Sequence, residues 1–330
     1  MREFGYRRAD DVTGAVALLD ADPGARYLGG GTNLVDLMKT GVERPARLVD
    51  IRRLPLDGIE LTDDGGLRIG ATVTNSDLAA HPEVRRRCPA LSQAVLAGAS
   101  GQLRNMATVG GNLLQRTRCG YFADVTKPCN KREPGSGCPA IEGEHRNHAI
   151  LGASEHCVAV HPSDMAVALS AFDAVVSYQT ADGPGELPLA DLYLPVADTP
   201  HRETALPRGA LITAVTLPAA PVAARSRYRK VRERASYAFA IGSVAAALEV
   251  HDGVVRDVRL AFGAVASRPW RAHAAERALV GSPADAEHFA AAADAELAAA
   301  RPLPDNAYKV TLMRNLVVAV LTDLAQEAAR

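Results

Sequence analysis

The stretch 117–155 constrains the chain more than any other part of it. Gly, Pro, Cys, Arg and His dominate there and periodic apolar positions are few, whereas both flanks carry ordinary helix and strand patterns. So long a structureless stretch inside a compact domain is uncommon, and something other than an apolar core has to hold it. Cys119, Cys129, Cys138 and Cys157 fall in or beside it with the spacing C-x9-C-x8-C-x18-C, and of the five cysteines Cys88 alone stands apart. The opening residues MREFGYRRADD lack the apolar run of a signal peptide, and an odd cysteine count in such a chain argues against a disulfide framework. Clustered thiols then point to a metal or a cofactor. Four thiolates can hold an iron–sulfur cluster, one to each iron, and such a centre would organise a segment with little core. A structural zinc ion on the same thiols stays open, although zinc sites usually show C-x2–4-C pairs and none occurs here. Thiols without a shared role stay open too. His145, His148, His156 and His161 are nearby as substitute ligands or as hydrogen-bonding loop residues. Arg116, Arg118, Lys127, Lys131, Arg132 and Arg146 supply positive charge against an anionic centre.

The 330 residues give room for two or three domains. With 37 basic and 38 acidic residues the net charge is −1, so no field draws the chain to nucleic acid or an anionic membrane. No run of about 18 apolar residues occurs, so no membrane span is expected. Periodicity predicts helices over 10–22, 34–39, 74–80, 89–99 and 162–171, and strands over 26–28, 48–51, 67–71, 157–160, 174–179 and 211–217. After a Pro/Ala-rich linker at 218–224, strands follow at 227–232, 243–250 and 254–264, then helices at 270–279, 284–299 and 306–328.

Two glycine loops stand out. Gly29-Gly30-Gly31-Thr32-Asn33 lies between a strand and a helix, where glycine lets the backbone turn and expose N–H groups that suit phosphate. It is not the G-x-G-x-x-G of a dinucleotide-binding unit, and a plain tight turn would look the same. Arg104-Asn105-Met106-Ala107-Thr108-Val109-Gly110-Gly111-Asn112 repeats the combination of paired glycines with hydroxyl and amide groups. Together they could hold the two ends of one elongated phosphate-bearing ligand. Ser163 and Asp164 sit at a helix start, where an N-cap alone would explain either.

GGGTNL at 29–34, Ile69-Gly70-Ala71, NMATVGGNL at 105–113, Pro162-Ser163-Asp164, and Lys230-Val231-Arg232 followed by Ser236-Tyr237 occur in an order that resembles the FAD-binding subunit of the xanthine dehydrogenase and aldehyde oxidoreductase family. The resemblance spans most of the chain. It implies an α+β fold: a two-part FAD-binding domain of the PCMH (vanillyl-alcohol oxidase-like) type at 1–220, with a cysteine-rich insertion at about 115–160, and a C-terminal α/β domain of the CO dehydrogenase flavoprotein type at 221–330. By the same resemblance Leu28, Gly29, Gly30, Gly31, Thr32, Asn33 and Leu34 wrap the FAD diphosphate. Thr108, Gly111, Asn112, Ser163 and Asp164 line the rest, and Ile212 and Lys230 face the flavin ring. A cation there would favour the reduced, anionic flavin. Arg229 competes for that role, and a solvated strand lysine is the plain alternative for Lys230. Tyr237 either stacks beside the ring or fills core space.

In commoner members the GGN loop runs almost directly into the Ser-Asp helix. Here the long insertion resembles a bacterial aldehyde oxidoreductase branch with an extra [4Fe–4S] cluster, which implies Cys119, Cys129, Cys138 and Cys157 as ligands. The family implies a heterotrimer. A large subunit with a molybdenum cofactor oxidises aldehydes to carboxylic acids, a small subunit with two [2Fe–2S] clusters relays electrons, and FAD passes them to an external acceptor. Purines or other heterocycles are the alternative substrates, and a stand-alone flavin reductase with a zinc site is the alternative architecture. The compartment is cytoplasmic, or periplasmic if a signal-bearing partner carries the chain out folded.

Overall fold

The computed structural model describes residues 1–328, and three sheets organise them. The first is parallel, in the order Gly5–Arg8, Arg47–Asp50, Ala25–Leu28, with helices Val12–Asp20 and Leu34–Thr40 as crossovers. The second is antiparallel, in the order Ile59–Leu61, Leu67–Gly70, Leu211–Leu217, Val175–Thr180, Gly183–Pro188. Helices Asn75–Ala80, Pro82–Arg87, Pro89–Ala97 and Asp164–Ala171 arise in the long excursion between its second strand and Val175–Thr180. The third is antiparallel, in the order Trp270–Arg271, Val254–Gly263, Gly242–His251, Ser226–Val231. The mixture is the α+β class expected.

Strand Gly242–His251 shows how the halves join. Successive side chains point to opposite faces. Val244, Ala246 and Leu248 enter a core completed by Phe289, Met313, Val317 and Leu321 from the C-terminal helices. Ala245 and Ala247 enter the other core, with Leu91, Val95, Val167 and Leu169. A strand buried on both faces reads as one apolar run, SVAAAL, and its alanines let helices of the N-terminal half approach closely.

Several expectations change. Residues 157–160 form no strand. They carry only an isolated Ser154–Cys157 bridge and the bond from Ala149 N to Val158 O at 2.8 Å, because no sheet edge lies beside them. The 218–224 stretch is no free linker: Pro221–Arg225 is a 3-10 turn that buries Val222 and Ala223 in the core. Trp270–Arg271 adds an edge strand, and the helix expected from 270 starts at His273. Gly183–Pro188 (GPGELP) escaped notice because glycine and proline argue against strands, yet a sheet edge tolerates both.

The insertion also proves to have an apolar anchor. Ile150 and Leu151 are fully buried in the C-terminal core, each contributing about 1.5–3 kcal/mol by burial. Their N–H groups both donate to Val265 O at 2.9 Å. Asn306, wholly buried, donates from Nδ2 to the carbonyls of His145, His148 and Ala149, and Lys309 Nζ donates to His148 O and Ala264 O. The far side of the insertion is therefore held by the C-terminal half. Asn306→Ala leaves these buried carbonyls short of a donor and is expected to lower unfolding stability by about 2–3 kcal/mol in a denaturant titration; a loss within error of zero would show that Lys309 alone suffices.

Candidate functional site

The glycine loops meet. The first follows strand Ala25–Leu28, at the carboxyl end of the parallel sheet, where open α/β sheets leave a crevice. The second precedes the short helix Val109–Leu113, which Thr108 caps by accepting from Gly111 N at 3.3 Å. It is fixed from below by bonds from Val109 N to Val73 O and from Gly110 N to Ala71 O. A Cβ on Gly29 would stand 2.8 Å from Thr108 Oγ1, and one on Gly30 would overlap the Met106 carbonyl. Gly31 has φ +74°, which side chains other than glycine rarely adopt. Close backbone approach thus accounts for two of these glycines and a left-handed turn for the third.

Beside the loops opens a cleft of about 770 Å³. Gly29, Gly30, Gly31, Thr32, Asn33, Leu34, Thr108, Gly111, Asn112, Asp164, Ile212, Lys230 and Tyr237 all line it. Leu28 does not; it ends the strand, and its carbonyl accepts from Ile51 N at 3.1 Å. Ser163 stands behind the wall as the N-cap of Asp164–Ala171. Its hydroxyl donates to Asn112 Oδ1 at 2.6 Å, and Gln115 Nε2 donates to the same oxygen at 2.8 Å. Both donors meet the oxygen of Asn112, which leaves its N–H2 group for the cleft. Two buried side-chain atoms of lining residues, Asn33 Nδ2 and Asn75 Oδ1, have no hydrogen-bond partner among the described residues. A buried polar group without a partner costs about 1–3 kcal/mol, so a polar ligand is the natural complement.

At another part of the cleft wall lies a buried charge pair. In strand Ser226–Val231, Ser226, Tyr228 and Lys230 share the inward face, while Arg227 and Arg229 turn outward to Asp323. Strand parity thus excludes Arg229. The Lys230 side chain is 3% exposed and is no solvated strand lysine: Nζ donates to Asp164 Oδ2 at 2.7 Å and to Ala97 O at 3.2 Å. Tyr228 OH donates to the other Asp164 oxygen, and burial, reinforced by that carboxylate, pushes its hydroxyl well above the usual tyrosine range. Tyr237 is not core; it is 57% exposed at the rim, has φ +52°, and lies against the Arg234 guanidinium. Phe239, also on the rim, packs under Arg118 at 4.8 Å, a contact that nothing in the sequence pattern announced.

The cysteines are neighbours too. Cys138 and Cys157 are neighbours that shift one another: the Cys157 thiol draws Cys138 down, and the Cys138 thiol together with burial pushes Cys157 up. Cys119 lies within electrostatic reach of Cys129, Cys138 and Cys157, and burial pushes its thiol up. Backbone N–H groups point at three of the sulfurs: Tyr121 and Phe122 at Cys119, Ala140 and Val158 at Cys138, Ala159 at Cys157. His148 Nε2 is 3.2 Å from Cys119 Sγ, and burial holds that ring down at about 4. His145 accepts from Asp305 N, His161 packs against Tyr193 with the rings tilted by 59°, and His156 is half-exposed, so each acts as a loop residue. Among the described residues, no three His, Cys, Asp or Glu side chains close on a point that could hold a single metal ion. Cys88 is buried apart from the set, and its burial pushes the thiol to about 12. Of the basic residues expected to balance this region, Lys131 pairs with Glu203 at 3.0 Å. Arg132 donates to the carbonyls of Tyr121, Phe122 and Lys127, and Arg146 pairs with Glu233. No described helix is long and apolar enough to cross a membrane.

Residues 2–220 match the FAD binding domain in molybdopterin dehydrogenase, and residues 226–324 match the CO dehydrogenase flavoprotein C-terminal domain. Over 329 residues, 99% of the chain and 100% of the relative, the sequence is 51% identical to the aldehyde oxidoreductase FAD-binding subunit PaoB of Escherichia coli K12. It is 26% identical to the glyceraldehyde dehydrogenase medium chain of Sulfolobus acidocaldarius, across 84% of the chain and 82% of that relative. Among solved structures, a carbon monoxide dehydrogenase of Hydrogenophaga pseudoflava superposes with a TM-score of 0.75 at 26% identity, covering 97% of the chain and 96% of its counterpart. A Cβ at position 30 has to push the two loops apart, at about 1–3 kcal/mol. Gly30→Ala is therefore expected to weaken FAD binding by roughly tenfold to a hundredfold in a fluorescence titration, with far-UV circular dichroism unchanged. Parental affinity would show that the loops do not close on each other in solution.

Proposed function

Because the chain belongs to the family of FAD-binding subunits of molybdenum aldehyde oxidoreductases and xanthine dehydrogenases, we propose that it is the electron-transfer subunit of a heterotrimer that oxidises aldehydes to carboxylic acids. A large partner with the molybdenum cofactor performs the oxidation, and a small partner with [2Fe–2S] clusters delivers the electrons. This chain passes them to an external acceptor. The observation that carries the reading is the cleft formed where the two glycine loops abut, with unpartnered Asn33 and Asn75 atoms and the buried Lys230–Asp164 pair on its walls. Both aldehyde-named relatives support aldehydes over purines as the substrate class.

Bound FAD supplies a group that accepts electrons singly and in pairs, and so joins one-electron donors to a two-electron acceptor. The chain's residues do the rest. Gly29, Gly30, Gly31, Thr32, Asn33 and Leu34, with the Leu28 backbone behind them, receive the diphosphate. Thr108, Gly111 and Asn112 close the opposite wall, and Ser163 fixes the Asn112 carboxamide. Asp164 holds Lys230 in a buried position, where a cation attracts developing negative charge more strongly than in water. Ile212 and Tyr237 bound the ring end.

The four thiols of Cys119, Cys129, Cys138 and Cys157 suit a [4Fe–4S] cluster. A single zinc ion needs its ligands gathered around one point, whereas a cluster spreads its thiolates over separate irons. The thiols are near one another, and backbone N–H groups face three of the sulfurs.

Protein isolated without oxygen is expected to hold about four iron atoms per flavin, and Cys129→Ser to lose the iron. Zinc in place of iron would overturn the cluster reading and leave the flavin reading standing. The isolated FAD-loaded chain should keep its flavin absorbance when aldehyde is added, and bleach only in the presence of the molybdenum and [2Fe–2S] partners. Bleaching by aldehyde alone would place the substrate chemistry on this chain and refute the relay.

A further inference from the structure

One chain of polar contacts runs from the first glycine loop into the cysteine insertion. The Arg116 backbone N–H donates to Asn33 Oδ1 at 2.9 Å, which orients the carboxamide whose Nδ2 has no partner. The Arg116 guanidinium, over the Phe122 ring at 4.6 Å, donates to Glu43 and to Glu203, each at 2.6 Å. The other Glu203 oxygen pairs with Lys131 Nζ at 3.0 Å, and Lys131 also donates to Pro200 O at 3.1 Å. Lys131, with a side chain 7% exposed, belongs to the insertion itself, and its neighbour Asn130 donates from Nδ2 to His156 O at 2.9 Å, beside Cys157. Arg116, Lys131, Glu43 and Glu203 balance as two cations and two anions. Burial pushes Glu203 up, but Lys131 and Arg116 together hold it below the usual carboxylate range. Removing one member of such a network strands a partly buried charge on its neighbours. Asn33 and Cys157 are 124 positions apart in sequence, and this network joins their surroundings.

We propose that Arg116, clamped by Glu43 and Glu203, with Lys131 on the far oxygen of Glu203, is the positioning residue through which the FAD loop and the cysteine insertion stabilise one another. FAD in the cleft then protects the insertion, and an ordered insertion tightens FAD; linkage requires the two effects to be equal. The inference rests on FAD occupying the cleft. It does not depend on which metal the thiols hold.

Hydrogen–deuterium exchange on the full chain, with and without FAD, tests it. In the parent, FAD is expected to slow exchange at 29–34 and, by about fivefold, at 127–133 and 155–160. In Glu203→Gln the FAD effect at 127–133 and 155–160 should vanish while 29–34 remains protected, and Glu203→Asp should restore it. A residue that merely props up the fold would change exchange with and without FAD alike. Arg116→Lys, which keeps the charge and loses the fork, should behave as Glu203→Gln does and serves if that variant does not fold. FAD protection confined to 29–34 in the parent, or undiminished coupling in both variants, overturns the proposal alone. No protection even at 29–34 overturns the FAD reading and this inference together.

Discussion

The approach of Gly30 to the Met106 carbonyl is the contact on which the rest of the site depends. It brings the end of a parallel strand against a loop of a different sheet's excursion, and no side chain fits between them. Thr108 and the bonds to Ala71 and Val73 hold the second loop in place, so the cleft wall is rigid before any ligand arrives. Polar atoms without partners can survive there because the backbone around them is already fixed. A site of this kind spends little of its binding energy on ordering loops.

Another part of the cleft wall depends on a different constraint, the pairing of a buried lysine with a buried aspartate. An unpaired charge at either position would be costly, and the pair is tied further by Tyr228 and by Ala97 O. Lys230 comes from the C-terminal sheet and Asp164 from a helix of the N-terminal half. The same two alanines, Ala245 and Ala247, that let the halves pack closely therefore also allow this ion pair to form across the join.

The parts of the site legible in the sequence were those with local causes. Glycines required by a close approach or a positive φ and a Ser-Asp helix start both show in a few consecutive residues. The α+β class came with the family resemblance carried by those motifs. What escaped was set by distant partners. Ile150 and Leu151 lie in a segment without periodicity, and only Val265 and the C-terminal helices reveal them as core. Arg116 was legible as a positive charge in a cysteine-rich region, but its acceptors Glu43 and Glu203 lie 73 and 87 positions away. The strand expected at 157–160 failed for the same reason: a β pattern needs a neighbouring edge, and none is there.

The cysteine insertion is held from two directions: by the C-terminal core at Ile150 and Leu151, and by the Arg116 network towards the glycine loop. The most direct measurement is a crystal structure of the FAD-loaded, anaerobically prepared chain with anomalous scattering collected at the iron and zinc edges. The expected result is FAD diphosphate density against Gly29, Gly30 and Gly31, with iron-edge peaks enclosed by Cys119, Cys129, Cys138 and Cys157. FAD bound elsewhere, or a lone zinc-edge peak among those cysteines, would contradict it.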